Sequence, residues 1–169
     1  MNTEPSTELS MGDGVATASV GDALLILWRS GATAPRIRWV NDRAVSLIER
    51  SPDGIVAVQF LLPSATPPGL REVAPVRESL QRVQPRSRRL VVVPLGDSGW
   101  QSVVRSVMKA GLAILGQSEK IKVAGHSHEA FSLLRDAAST RTPELSALDQ
   151  QCAALFTALG APPPPARAS

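Results

Sequence analysis

Leu90-Val91-Val92-Val93-Pro94-Leu95-Gly96-Asp97-Ser98-Gly99-Trp100 decides the fold. Three consecutive valines behind a leucine favour an extended chain, because branching at Cβ restricts χ1. The run is continuously apolar rather than alternating, which suits a strand covered on both faces, as in a parallel sheet. Pro94 to Gly99 carries turn chemistry. From Trp100 onward, Val103, Val104, Val107, Met108, Leu112 and Leu115 recur at helical spacing, and Gln101, Ser102, Arg105, Ser106 and Lys109 take the other face. Asp97 or Ser98 can cap that helix by accepting from its first free N–H groups. Gly111 costs about 1 kcal/mol against alanine in such a helix, which points to close approach by a neighbouring element. Gly116 supplies a stop. Strand, tight turn and amphipathic helix make the central step of an α/β fold.

Toward the N-terminus, residues 15–20 alternate and 23–28 form an apolar run, separated by Gly21-Asp22. This predicts a hairpin with 15–20 as an edge strand. Thr33 as N-cap and Pro35 in the first turn open a helix with Ile37, Val40, Ala44, Leu47 and Ile48 on one face. Trp39 falls at the margin of that stripe, as an anchor against the sheet. Residues 55–62 read as a second central strand. A loop with three prolines follows, then a helix over 70–83 with Val73, Val76, Leu80 and Val83 inward. Pro75 requires that helix to begin near Val73 or to kink. Glu78 and Arg82 are spaced as an i,i+4 pair.

Toward the C-terminus, residues 120–124 alternate with lysines on one side, the pattern of a protected edge strand. A short helix opens near His126, with Ala130, Phe131, Leu134 and Ala137 apolar. Thr142-Pro143-Glu144 is a helix-start signature, followed by the stripe Leu145, Leu148, Cys152, Leu155, Phe156 and Leu159 and a stop at Gly160. The organisation expected is an unstructured tail at 1–13, one α/β domain at 14–138, a C-terminal helix at 142–160 and a proline-rich unstructured tail at 161–169. The sheet is expected to be mainly parallel, with about five strands flanked by helices.

The totals narrow the function classes. At 169 residues, 43% hydrophobic and 20% charged, the chain has the composition of an ordinary globular domain. A net charge of +3 is too weak to imply nucleic acid unless gathered on one face. One cysteine excludes an internal disulfide and fits a reducing compartment. No secretory signal and no apolar run of transmembrane length is present, so the expected location is cytoplasmic, without a membrane partner.

The element order over 15–138 resembles the STAS fold of anti-sigma-factor antagonists and the related SpoIIAA-like domains. The hairpin at 15–28, the strands at 55–62 and 90–94 and the last unit at 121–134 carry the resemblance. It implies a non-enzymatic regulatory module of bacterial-type signalling that works by docking protein partners. That family's Asp-Ser-Ser-Gly-Leu phosphosite follows its third strand, where this chain has Ser64-Ala65-Thr66-Pro67-Pro68. Asp97-Ser98-Gly99 is closer to the motif but follows the next strand.

Candidate sites follow from these stretches. Ser98 is a phosphorylation candidate, since new charge at a helix N-terminus is tolerated and alters docking, and the resemblance adds Ser64 and Thr66, which stand in the loop where that family carries its phosphosite. Asp97, Ser98 and Gly99 are candidates for binding an anion at the helix start. Arg82, Arg86, Arg88 and Arg89 form the densest basic cluster, a patch for an acidic partner or phosphate, or a solvated loop before an apolar strand. Leu145, Leu148, Leu155, Phe156 and Leu159 are the surface through which a C-terminal helix would join a homo-oligomer. His126 and His128 fall short of a metal-ligand set, and no Gly-x-x-x-x-Gly-Lys or Gly-x-Ser-x-Gly pattern is present. No catalytic residue, metal or cofactor is assigned. Besides the regulatory reading, an assembly protein and a small-molecule or anion binder or enzyme remain; the last would use the carboxyl ends of the strands.

Overall fold

The computed structural model describes residues 7–115 and 119–164, with the side chains of 112–115 outside that set. The sequence-based expectations for Leu112, Leu115 and the 116–118 stop therefore lie outside the described residues. The strands are β1 (Thr7–Gly12), β2 (Val15–Val20), β3 (Ala23–Trp28), β4 (Ile55–Leu61), β5 (Ser87–Pro94) and β6 (Ile121–Val123). The helices are α1 (Ala34–Arg50), α2 (Val73–Val83), α3 (Ser98–Leu115), α4 (Ser127–Arg135) and α5 (Leu145–Ala158). All six strands form one sheet in chain order. β1, β2 and β3 pair antiparallel, and β3 to β6 pair parallel.

This order dictates the layers. Consecutive parallel strands joined by right-handed crossovers place every crossover helix on the same face. α1, α2 and α3 accordingly pack on one side, against Leu24, Ile26, Trp28, Ala57 and Val92. The opposite face would be bare, and α4 and α5 cover it. Phe131, Leu134, Leu148, Leu155 and Phe156 meet Leu25, Leu27, Val58, Phe60, Val91 and Val93 there. Phe60 sits edge-on to Phe131 and Phe156, with centroids 6.3 and 5.4 Å away. The three valines of the opening stretch thus divide between two cores, Val91 and Val93 on one side and Val92 on the other.

Several expectations are corrected. Residues 7–12, expected in an unstructured tail, form β1, which makes the sheet six-stranded. β2, expected at an edge, is therefore internal and buried throughout. β1 is hard to see in sequence because Leu9 and Met11, its apolar residues, stay about half exposed. Glu8 instead ties the strand to α1, 3.2 Å from Arg50 and 3.9 Å from Arg43. Trp39 lies flat against Gly12, where a Cβ would stand 3.2 Å from the ring, and Arg43 lies 5.2 Å from the ring centroid. The expected helix over 70–83 begins as a single 3₁₀ turn, and α2 proper starts at Val73, so Pro75 falls in the first turn where its missing N–H costs nothing. Val73, expected inward, is exposed, and Arg82 lies 3.9 Å from Asp42 on α1.

The largest correction concerns α5. In the assembly reading, one of the alternatives, its stripe would contact another chain. Leu148, Leu155, Phe156 and Leu159 are instead buried against this chain's own sheet, with Cys152 among them. Arg29 donates to the Leu159 carbonyl at 3.1 Å and fastens the helix end to the end of β3.

Candidate functional site

The cover over the first face is incomplete, and a cavity of about 290 Å³ opens beneath α2 and α3. Its floor is the inward face of the parallel strands: Trp28, Gln59, Leu61, Leu90, Val92 and Ile121. These residues belong to four different strands and share a face because side chains alternate along each strand. α1 contributes Ile37 and Val40, and α2 contributes Val76, Ser79 and Leu80. α3 contributes Val104, Val107, Met108 and Gly111. Ser30, Ala32, Ala65, Thr66, Pro67 and Pro68 line it from the loops after β3 and β4.

Among the described residues no charged side chain lines this space. The polar groups are few and mostly engaged. The Trp28 indole N–H donates to Gln59 Oε1 at 3.0 Å, and Ser79 Oγ donates to the buried Asn41 Oδ1 at 3.0 Å. Gly111 was expected to admit a close neighbour; a Cβ there would meet nothing within 4 Å, so the glycine belongs to the open wall. α3 is held lightly. Val104 is buried, whereas Val103 and Val107, expected to face inward, are 51% and 45% exposed.

The candidates read from sequence lie elsewhere. Asp97 caps α3, its Oδ1 accepting from the Trp100 N–H at 2.8 Å. A carboxylate therefore already occupies the helix end where an anion was sought. Ser98 and Gly99 are exposed beside it. Ser64 Oγ donates to the Arg29 carbonyl at 2.6 Å. Thr66 alone of the phosphorylation candidates reaches the cavity.

The basic cluster is largely spent on the fold. Arg86 donates to the carbonyls of Ser51 and Pro52. Arg88 donates to the carbonyls of Asp53 and Ala137 and to the buried carboxylate of Asp22. Arg89 holds its Nε buried without a partner. His126 caps α4 by accepting from the Glu129 N–H, and Glu129 accepts in return from the Gly125 N–H at 2.6 Å, a reciprocal cap. Among the described residues no group of three or more His, Cys, Asp or Glu side chains is placed to hold a metal. Burial pushes the Cys152 thiol up to about 12, with Asp149 adding to the rise, so the thiol is a protonated core group rather than a nucleophile.

Sequence reasoning missed the cavity, because its lining comes from all four parallel strands, three helices and two loops, with no local motif. One signal was present. Gln59 is the single strongly polar residue within Ile55–Leu61, on the same face as Ala57 and Leu61.

The chain matches no protein-family model and no curated protein sequence. The class that the fold defines is a mixed, mostly parallel α/β sheet with helices on both faces. No helix among the described residues is long and apolar enough to cross a membrane.

Proposed function

We propose that this chain is a non-enzymatic module that binds a small apolar molecule between the sheet and helices α2 and α3. The observation that carries this reading is the 290 Å³ cavity, whose lining holds no charged group among the described residues. Its size is close to the lower end of drug-sized pockets, about 300 Å³, and its character is the usual one of apolar walls with few polar groups. No titratable acid, base or thiol among the described residues lines it, so its chemistry is that of holding rather than converting. Nile red, an uncharged dye that brightens in apolar surroundings, tests this. Full-length protein should bind it saturably, and Val92→Phe, which adds bulk to the floor, should weaken binding at least tenfold while circular dichroism stays unchanged. Equal binding by the variant would place the dye elsewhere and defeat the reading.

A second reading follows the resemblance to STAS and SpoIIAA-like modules, a regulatory protein that docks partners. The exposed Val103 and Val107 on α3 favour it. A pull-down from the native host that is unaffected by Val103→Ser with Val107→Ser would remove that face from consideration.

A further inference from the structure

Gln59 gives the cavity a chemical preference, and the reason begins with its neighbour. An indole N–H donates and cannot accept. The Gln59 atom that faces Trp28 Nε1 at 3.0 Å is therefore the carbonyl oxygen, which fixes the amide orientation by chemistry. The NH₂ end is left over. None of the hydrogen bonds among the described residues engages it, and it is not among the fully buried unpartnered atoms, so it keeps accessible surface on a residue that lines the cavity. Leu61, Leu90 and Val92 of the same lining are hydrocarbon, and no hydrogen bond among the described residues joins the NH₂ to the hydroxyls of Ser30, Thr66 or Ser79.

A donor that faces an apolar cavity lowers its free energy by meeting an acceptor. The absence of cations among the described lining residues disfavours a carboxylate or phosphate, whose charge would lose its hydration without compensation. Resting on the cavity reading above, we infer that the occupant is an uncharged, mainly hydrocarbon molecule bearing a carbonyl oxygen, which accepts from Gln59 Nε2. The amide then bridges Trp28 on one side and the ligand on the other. The rest of the molecule lies against Leu90, Val92 and Val104.

A matched pair of probes tests this on full-length protein: 2-acetylnaphthalene, which carries a carbonyl, and 2-ethylnaphthalene, which has nearly the same shape without one. Both should displace Nile red, the ketone about tenfold more tightly, the size expected for one good hydrogen bond. In ¹⁵N-labelled protein the Gln59 side-chain NH₂ resonances should move with the ketone and stay with the hydrocarbon. Gln59→Leu should erase the preference. Gln59→Glu should erase it too while keeping an acceptor for Trp28, which serves as the control if the leucine variant is unstable. Equal binding of the two probes with unmoved Gln59 resonances overturns the carbonyl assignment and leaves the cavity reading intact. Failure of both probes to displace the dye overturns both.

Discussion

Arg88 Nη2 stands 2.6 Å from Asp22 Oδ2, joining the first residues of β5 to the β2–β3 turn across 66 positions of sequence. Asp22 is fully buried, and the same oxygen accepts from Ser139 Oγ at 2.6 Å and from Thr142 Oγ1 at 3.2 Å. One carboxylate thereby anchors the linker between α4 and α5. Gly21 makes the approach possible, with φ at 58° and a Cβ position only 2.2 Å from the Arg141 carbonyl. Asp22→Ala would take the carboxylate from the guanidinium, which keeps the carbonyls of Asp53 and Ala137, and remove the acceptor that two hydroxyls share. Removing one partner of a buried ion pair costs about 3–5 kcal/mol, and Arg88, partly exposed, puts the expected loss at about 3 kcal/mol. Urea unfolding of the variant checks this, and a loss below ~1 kcal/mol would mean that the cluster is incidental to stability.

The packing of α5 leads to a second expectation. Phe156 is buried and edge-on to Phe60 at 5.4 Å, so Phe156→Ala should destabilise by about 3–5 kcal/mol. A chain truncated after Ser139 should lose its cooperative unfolding transition altogether. A truncated chain that unfolds as cooperatively as the full chain would show that the helix is dispensable for the core.

Cys152 gives a stability change with a definite sign. Its ordinary value of 9.0 is pushed up to about 12 in the folded chain. Below pH 9 both states keep the proton, and the thiol contributes no pH dependence. Above it the unfolded chain releases the proton while the folded chain holds it, so stability falls as pH rises, by up to about 1.4 kcal/mol per pH unit. Unfolding of the wild type and Cys152→Ala at about pH 7.5 and again at about pH 10.5 checks this. The wild type should lose more stability than the variant over that interval; parallel losses would mean that the thiol is solvated.

Gly111 sits within α3 with open space around its missing Cβ. Gly111→Ala should therefore stabilise the chain by up to about 1 kcal/mol, because alanine restricts the unfolded chain and favours helix. Destabilisation would indicate that α3 needs freedom at this point.

Local periodicity made most elements legible. Val91 to Val93, the Gly21-Asp22 turn and the stripe from Leu148 to Phe156 each announce their conformation within a few residues. Partners are another matter, because periodicity names an apolar face without naming what covers it. The α5 stripe reads equally well as an interface and as a core wall, and only the sheet's strand order, which puts α1, α2 and α3 on one face, shows that the other face needs it. β1 escaped because Leu9 and Met11 contribute little burial. Arg88 read as surface charge because its partner, Asp22, lies 66 residues away. The cavity escaped for the opposite reason to a motif: it is a space left by helices that do not fully cover a sheet, and Gln59 was its one trace in the sequence.

The most direct measurement is an isotope-edited NOE experiment on full-length protein saturated with 2-acetylnaphthalene. Cross-peaks are predicted from the naphthalene protons to the methyl groups of Leu90, Val92, Val104 and Met108, and from the acetyl methyl to the Gln59 side-chain NH₂. Cross-peaks confined to the exposed Leu9 and Met11, or to Val91 and Val93 on the opposite face, would contradict the account.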